Sequence, residues 1–129
     1  MSDKIKYQLE IEVKSSTKVL YNMISTPSGM SEWFADDVNI KNDVFTFFWD
    51  GSSEEAKLLT KRKGESVKFQ WMDDFEEGEK TYFELAIKVD ELTNDVAIII
   101  TDFAEEDEIE EAQLLWENQI SSLKKTIGS

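Results

Sequence analysis

The sequence contains no cysteine and no histidine. Without cysteine there is no disulfide, no thiolate metal site and no thiol nucleophile. Without histidine the commonest metal ligand is missing, and so is the one side chain that titrates near neutrality. A Ser-His-Asp site, a zinc-water site and a facial-triad iron site are therefore excluded in their standard forms. Long apolar runs are missing too. The longest aliphatic stretch, Val96–Ile100, is far too short to span a bilayer. Met1-Ser2-Asp3-Lys4-Ile5-Lys6 holds no apolar signal core, and Thr126-Ile127-Gly128-Ser129 matches no lipidation or retention signal, so a cytoplasmic location is expected. Basic residues are scarce in the second half. Residues 1–72 hold 11 acids and 10 bases, whereas residues 73–129 hold 17 acids and 4 bases, within a net charge of −14. Such a surface repels phosphate backbones and anionic headgroups, which argues against nucleic-acid binding and membrane insertion.

What is present suits one domain over residues 1–129. Apolar residues make up 40% of the chain, with eight Phe, four Trp and three Tyr, enough for a core built on wide side chains. Residues 5–13 alternate, with Ile5, Tyr7, Leu9, Ile11 and Val13 on one face, which predicts a half-buried strand. Ser15-Ser16-Thr17 offers N-cap hydroxyls to a helix carrying Val19, Leu20, Met23 and Ile24 on one face. Thr26-Pro27 ends that helix and starts a second, short one bearing Met30, Trp33 and Phe34. The pattern then turns to strands. Val38–Ile40, Val44–Trp49, Ala56–Lys61, Val67–Trp71, Phe83–Val89 and Val96–Phe103 are separated by turns at Asn42-Asp43, Asp50-Gly51-Ser52, Lys63-Gly64-Glu65 and Thr93-Asn94-Asp95, and by an acidic loop over 73–79. Hairpin-length turns predict antiparallel neighbours. A last helix is expected from about Glu105 to Ile127, with Ile109, Ala112, Trp116, Ile120, Leu123 and Ile127 in one apolar stripe. Six of the residues Glu105–Glu111 are acidic, at the end where the helix dipole favours negative charge.

The fold class is α+β: a curved antiparallel sheet of about six to seven strands around a long C-terminal helix, with two short helices after the first strand. This order resembles the helix-grip fold of START lipid-transfer domains, pollen-allergen-like proteins and polyketide cyclases. Within that superfamily the stretch Val19-Leu20-Tyr21-Asn22-Met23-Ile24-Ser25-Thr26-Pro27, followed by Met30-Ser31-Glu32-Trp33-Phe34, resembles homologues of the activator of the heat-shock-protein-90 ATPase. Phe45 and Phe47 fall where that family places alternating aromatics, and Trp116 with Leu123 is similar to the pair on its terminal helix. Asn42-Asp43 stands where a glycine pair is usual, and the charged 73–79 stretch departs from the pattern. The resemblance implies a fold and a cavity, not one activity, because carriers, cyclases and co-chaperones share it.

Candidate site residues follow from the aromatic set. Phe45, Phe47, Trp49, Phe69, Trp71 and Phe83 share one sheet face, while Trp33, Phe34, Trp116 and Ile120 come from the helices opposite. They either fill the space between sheet and helix as a packed core or line a pocket, with Thr60, the indoles, Tyr7 and an inward Tyr82 as polar handles. The leading expectation is a non-enzymatic binding domain holding a small apolar or amphipathic ligand there. One alternative is a protein-interaction module that acts through its surface. Another is a cyclase- or hydrolase-like enzyme using Asp36 or Asp37 near the mouth, which would need a carboxyl of raised pKa. Asp73, Asp74, Glu76, Glu77 and Glu79 fit no EF-hand spacing, so neither metal nor cofactor is expected. Lys57, Lys61, Arg62, Lys63 and Lys68 form a basic patch on one hairpin, read as edge protection before a docking site.

Overall fold

In a computed structural model, residues 4–128 are described; the terminal readings at Met1-Ser2-Asp3 and Ser129 lie outside them. The elements are β1 (Ile5–Glu12), α1 (Thr17–Ser25), α2 (Pro27–Met30), β2 (Asp37–Lys41), β3 (Val44–Trp49), β4 (Ser52–Arg62), β5 (Ser66–Trp71), α3 (Met72–Glu76), β6 (Phe83–Val89), β7 (Val96–Ala104), a single 3₁₀ turn (Glu106–Glu108) and α4 (Ile109–Ile127). The strands form one seven-stranded antiparallel sheet in the order β1-β7-β6-β5-β4-β3-β2. This is the expected α+β helix-grip arrangement. Among the described residues no helix is long and apolar enough to cross a membrane.

Local chemistry sets the element boundaries. The Ser16 hydroxyl accepts the Val19 N–H at 3.1 Å and opens α1. Thr26, extended ahead of Pro27, ends α1 and caps α2 by accepting the Gly29 N–H at 2.9 Å. Gly29 is where the two helices touch: a Cβ there would be driven into the Asn22 carbonyl oxygen and would lie 2.8 Å from the Met23 Cα. Asn42 and Asp43, both at positive φ, form a two-residue hairpin loop between Lys41 and Val44. Gly128, in the left-handed region, closes α4.

Four expectations are corrected. Val19 faces water at 47% exposure, so the buried face of α1 is Leu20, Met23 and Ile24. The 73–79 stretch is not a loop throughout, because Met72–Glu76 is helical. Asp73 and Asp74 sit in its first turn, where they complement the helix dipole. Asp74 accepts the Thr81 hydroxyl at 2.6 Å, and the Lys57 ammonium lies 4.3 Å from the Phe75 ring centre. Thr60 points away from the interior, because the register shifts between Leu58 and Thr60. A β-bulge adds one residue and inverts the alternation beyond it, so Thr60 pairs with outward-facing Lys68 and is exposed. Tyr82 is also outside, stacked edge-on to Phe103 with the Lys68 ammonium 4.4 Å from its ring centre.

The core lies between the concave sheet face and the helices. Phe45, Phe47, Phe69, Phe83, Leu85, Ile98 and Ile100 from the sheet are buried, as are Trp116, Ile120 and Leu123 from α4. Ile109, Ala112 and Ile127, nearer the ends of α4, are only partly covered and pack against this core.

Candidate functional site

The predicted aromatic residues do come together, but in two environments. Phe45, Phe47, Phe69 and Phe83 are fully buried, 0–1% exposed. Their rings meet one another: Phe45 and Phe69 are 5.0 Å apart, edge to face, and Phe69 stacks on Phe83 at 5.1 Å. Ala56, fully buried, faces both Phe45 and Trp71 in the register, and its small side chain leaves room for these rings. Ile120 closes the layer from α4.

Trp33 and Phe34, 7% and 4% exposed, and the half-buried Trp49 lie at the edge of this layer. With Glu32, Ala35, Asp36, Gln119 and Ser122 they line a cleft of about 480 Å³. It opens where the α2–β2 connection, the end of β3 and the C-terminal half of α4 meet. Phe34 links cleft and core, lying within 4.9 to 6.2 Å of Trp33, Phe47, Trp49, Phe83 and Trp116. Both cleft indoles are held by the backbone. The Trp33 Nε1–H donates to the Met23 carbonyl at 2.8 Å and the Trp49 Nε1–H to the Phe34 carbonyl at 3.0 Å. The Thr126 hydroxyl, with one proton to give, lies 3.1 Å from the Glu32 carbonyl and 3.0 Å from that of Ser122, which brings the end of α4 beside the same connection. The cleft walls are thus preorganised, with their indole donors already spent. What they offer a ligand is ring edge, the Gln119 amide, the Ser122 hydroxyl and the exposed Glu32 and Asp36 carboxylates.

Trp71 is half-buried. It approaches Phe47 and Phe83, and it also lines a separate groove of about 400 Å³ with Thr46, Glu54, Glu55, Asp73 and Glu76. That groove is carboxylate-lined and lies beside α3, away from the space under α4. Asp36 and Asp37 are exposed, and Asp37 accepts the N–H of its neighbour Val38 at 2.9 Å.

One half-buried carboxylate, Asp102, is missed by sequence reasoning. Asp102 takes the Trp116 indole N–H at 2.9 Å and the Tyr7 hydroxyl at 3.4 Å on Oδ2, and the Phe103 N–H at 2.7 Å on Oδ1. Burial raises its pKa above the usual carboxylate range; the Trp116, Phe103 and Tyr7 hydrogen bonds and the Lys4 charge oppose the shift without cancelling it. Burial, and then the Asp102 charge, push the Tyr7 phenol well above its ordinary value. A signal was available: Asp102 falls on the same strand parity as Ile98 and Ile100, an acid at an inward position. The trio holds α4 to the β1–β7 edge.

Among the described residues, Glu105, Asp107 and Glu108 bring carboxylate oxygens within 4.8 Å of one another, all exposed at the entry to α4. This is not the 73–79 cluster weighed from the sequence.

The START-like superfamily domain matches residues 1–129, the full sequence. The chain belongs to the START-like superfamily. Among solved structures, this START-like domain is similar to BfR322 from Bacteroides fragilis, at 37% identity and a TM-score of 0.68, over 95% of this chain and 90% of that one. The Aha1 dimer from Colwellia psychrerythraea shares the fold at 18% identity and a TM-score of 0.79, over 95% and 96% of the two chains. ChR145 from Cytophaga hutchinsonii does so at 13% identity and a TM-score of 0.70, over 97% and 94%. A comparison with curated proteins gives no match. The resemblance to chaperone-activator homologues therefore stands as one of fold.

Proposed function

We propose that this START-like domain is a non-enzymatic binding module that takes a small amphipathic ligand in the cleft lined by Trp33, Phe34 and Trp49. One observation carries the reading. Three wide rings, two of them pinned by indole hydrogen bonds, wall an open space of about 480 Å³, while the rings behind them are closed against one another. That volume lies within the range of small-molecule sites, and the pinned walls lose little freedom when a ligand arrives. The deep part of the predicted set, Phe45, Phe47, Phe69, Phe83 and Ile120, acts as the rigid backing of the cleft.

The test is a titration with neutral aromatic and alkyl amphiphiles, read by tryptophan emission and by melting temperature. A member that binds should change emission saturably and raise the melting temperature by mass action. Ser122 is exposed on the cleft wall, so Ser122→Trp should occupy the space and abolish the response while the protein stays folded. No response across the panel, or a response indifferent to Ser122→Trp, would overturn the reading.

A further inference from the structure

The apolar stripe of α4 explains Trp116, Ile120 and Leu123 but leaves two leucines over. Leu114 and Leu115 are 57% and 60% exposed. A single leucine in water is ordinary, but Leu115 does not stand alone. With Phe103, Ala104 and Ala112 it lines a groove of about 240 Å³ where the end of β7 meets the start of α4. Ile5, 43% exposed, lies opposite Ala104 on the neighbouring edge strand.

The rim of this groove is acidic. Glu105, Glu108 and Glu111 line it, and Glu105, Asp107 and Glu108 crowd together in water. The basic residue on the rim, Lys4, is 3.8 Å from an Asp74 carboxylate oxygen. From Glu108 to Leu115 the helix climbs about 10 Å, roughly two turns, the reach of a short helical segment laid alongside. An apolar floor edged by three glutamates calls for an apolar stripe flanked by positive charge.

We infer that this groove docks a basic amphipathic segment of a partner protein, its apolar side on Leu115, Ala112 and Phe103 and its Lys or Arg side chains on the glutamate rim. The site is separate from the cleft and does not depend on the ligand reading. A second copy of this chain would bring −14 against −14, and a nucleic acid or an anionic membrane would meet the same repulsion.

The probe is a labelled synthetic helix of about 18 residues, roughly five turns, with leucines on one face and lysines on the other. Its comparison is a peptide of the same composition in scrambled order, and both are followed by fluorescence anisotropy. The amphipathic peptide should bind the more tightly. Leu115→Ser, and separately the pair Glu108→Lys with Glu111→Lys, should each weaken it about tenfold or more. The same charge change at the end of α3, Glu76→Lys with Glu77→Lys, should leave it within about twofold. All these positions are exposed, so the variants should fold, and unchanged melting curves check that. Equal weakening by the α3 pair, equal binding of the scrambled peptide, or no binding at all would overturn the inference. So would sedimentation showing a dimer that Leu115→Ser dissociates, which would make the occupant a second copy.

Discussion

The two ends of the aromatic layer use the same kind of side chain to opposite effect. Around Phe69 each ring meets others of the set, and the strands to either side supply small or apolar partners such as Ala56 and Leu85. At Trp33, 7% exposed, and at half-buried Trp49 the neighbours include the carbonyls of Met23 in α1 and Phe34 in the α2–β2 connection, which accept the indole N–H groups and fix the rings beside the cleft. The difference lies in position, with the polar handle as the anchor. Phe34 borders the cleft with no handle, whereas the two tryptophans are also tied to the backbone there. A tally of aromatic residues therefore says little about a cavity until their placement is known.

That contrast can be broken by substitution. The largest loss is expected inside: Phe69→Ala removes a fully buried ring from a closed layer and should cost about 3–5 kcal/mol in denaturant unfolding. Trp49→Ala, at the half-buried end, should cost clearly less; equal losses would erase the distinction. Next comes the hinge beneath the cleft. Gly29→Ala forces a methyl group against the backbone of Asn22 and Met23 and should destabilise by about 1–3 kcal/mol, shifting Trp33 emission as α2 moves. A smaller effect, about 1 kcal/mol, is expected for Trp33→Phe, which leaves the buried Met23 carbonyl without its donor.

The smallest effect sharpens the comparison by adding a charge. Because burial raises the Asp102 pKa, the folded state holds that proton more tightly than the unfolded chain. Its contribution to stability is therefore full below the ordinary carboxylate value of about 3.9 and is lost as pH rises through the higher folded value. Asp102→Asn should remove that loss. The difference between wild type and variant, measured by denaturation across this range, should follow one proton; a flat difference would mean that Asp102 titrates normally.

Most of the fold was legible because alternation and turn chemistry agree along nearly the whole chain. Tyr7-Leu9-Ile11-Val13 against Glu10-Glu12 reads as a half-buried strand, and Asn42-Asp43 reads as a hairpin. Thr60 was misplaced because one bulge residue inverts every face beyond it, and a bulge leaves no clear mark in Leu58-Leu59-Thr60. Met72–Glu76 was missed because its carboxylates look like a solvated loop until Thr81 and Lys57 are seen to engage the segment. In the site, the ten aromatic and aliphatic candidates all belong to, or pack against, one core cluster. Which of them would border the cleft depended on how the α2–β2 connection, β3 and α4 meet, and pattern does not carry that. Asp102 was overlooked because the aliphatic run before it suggested only burial, while its partners Tyr7 and Trp116 lie on other elements.

The pairing of β1 with β7 governs the order in which the chain can assemble. From β2 to β7 each strand lies beside its predecessor in sequence, so that meander can zip up from local hairpins. β1 is the exception: Ile5 meets Ala104 and Glu12 meets Ala97, across nearly the full chain. During synthesis the first strand emerges early and waits, its Tyr7-Leu9-Ile11 face uncovered, until the last strand arrives. Closure of that long loop should set the slow step of folding, and the waiting strand is the segment most open to pairing with a neighbouring nascent chain.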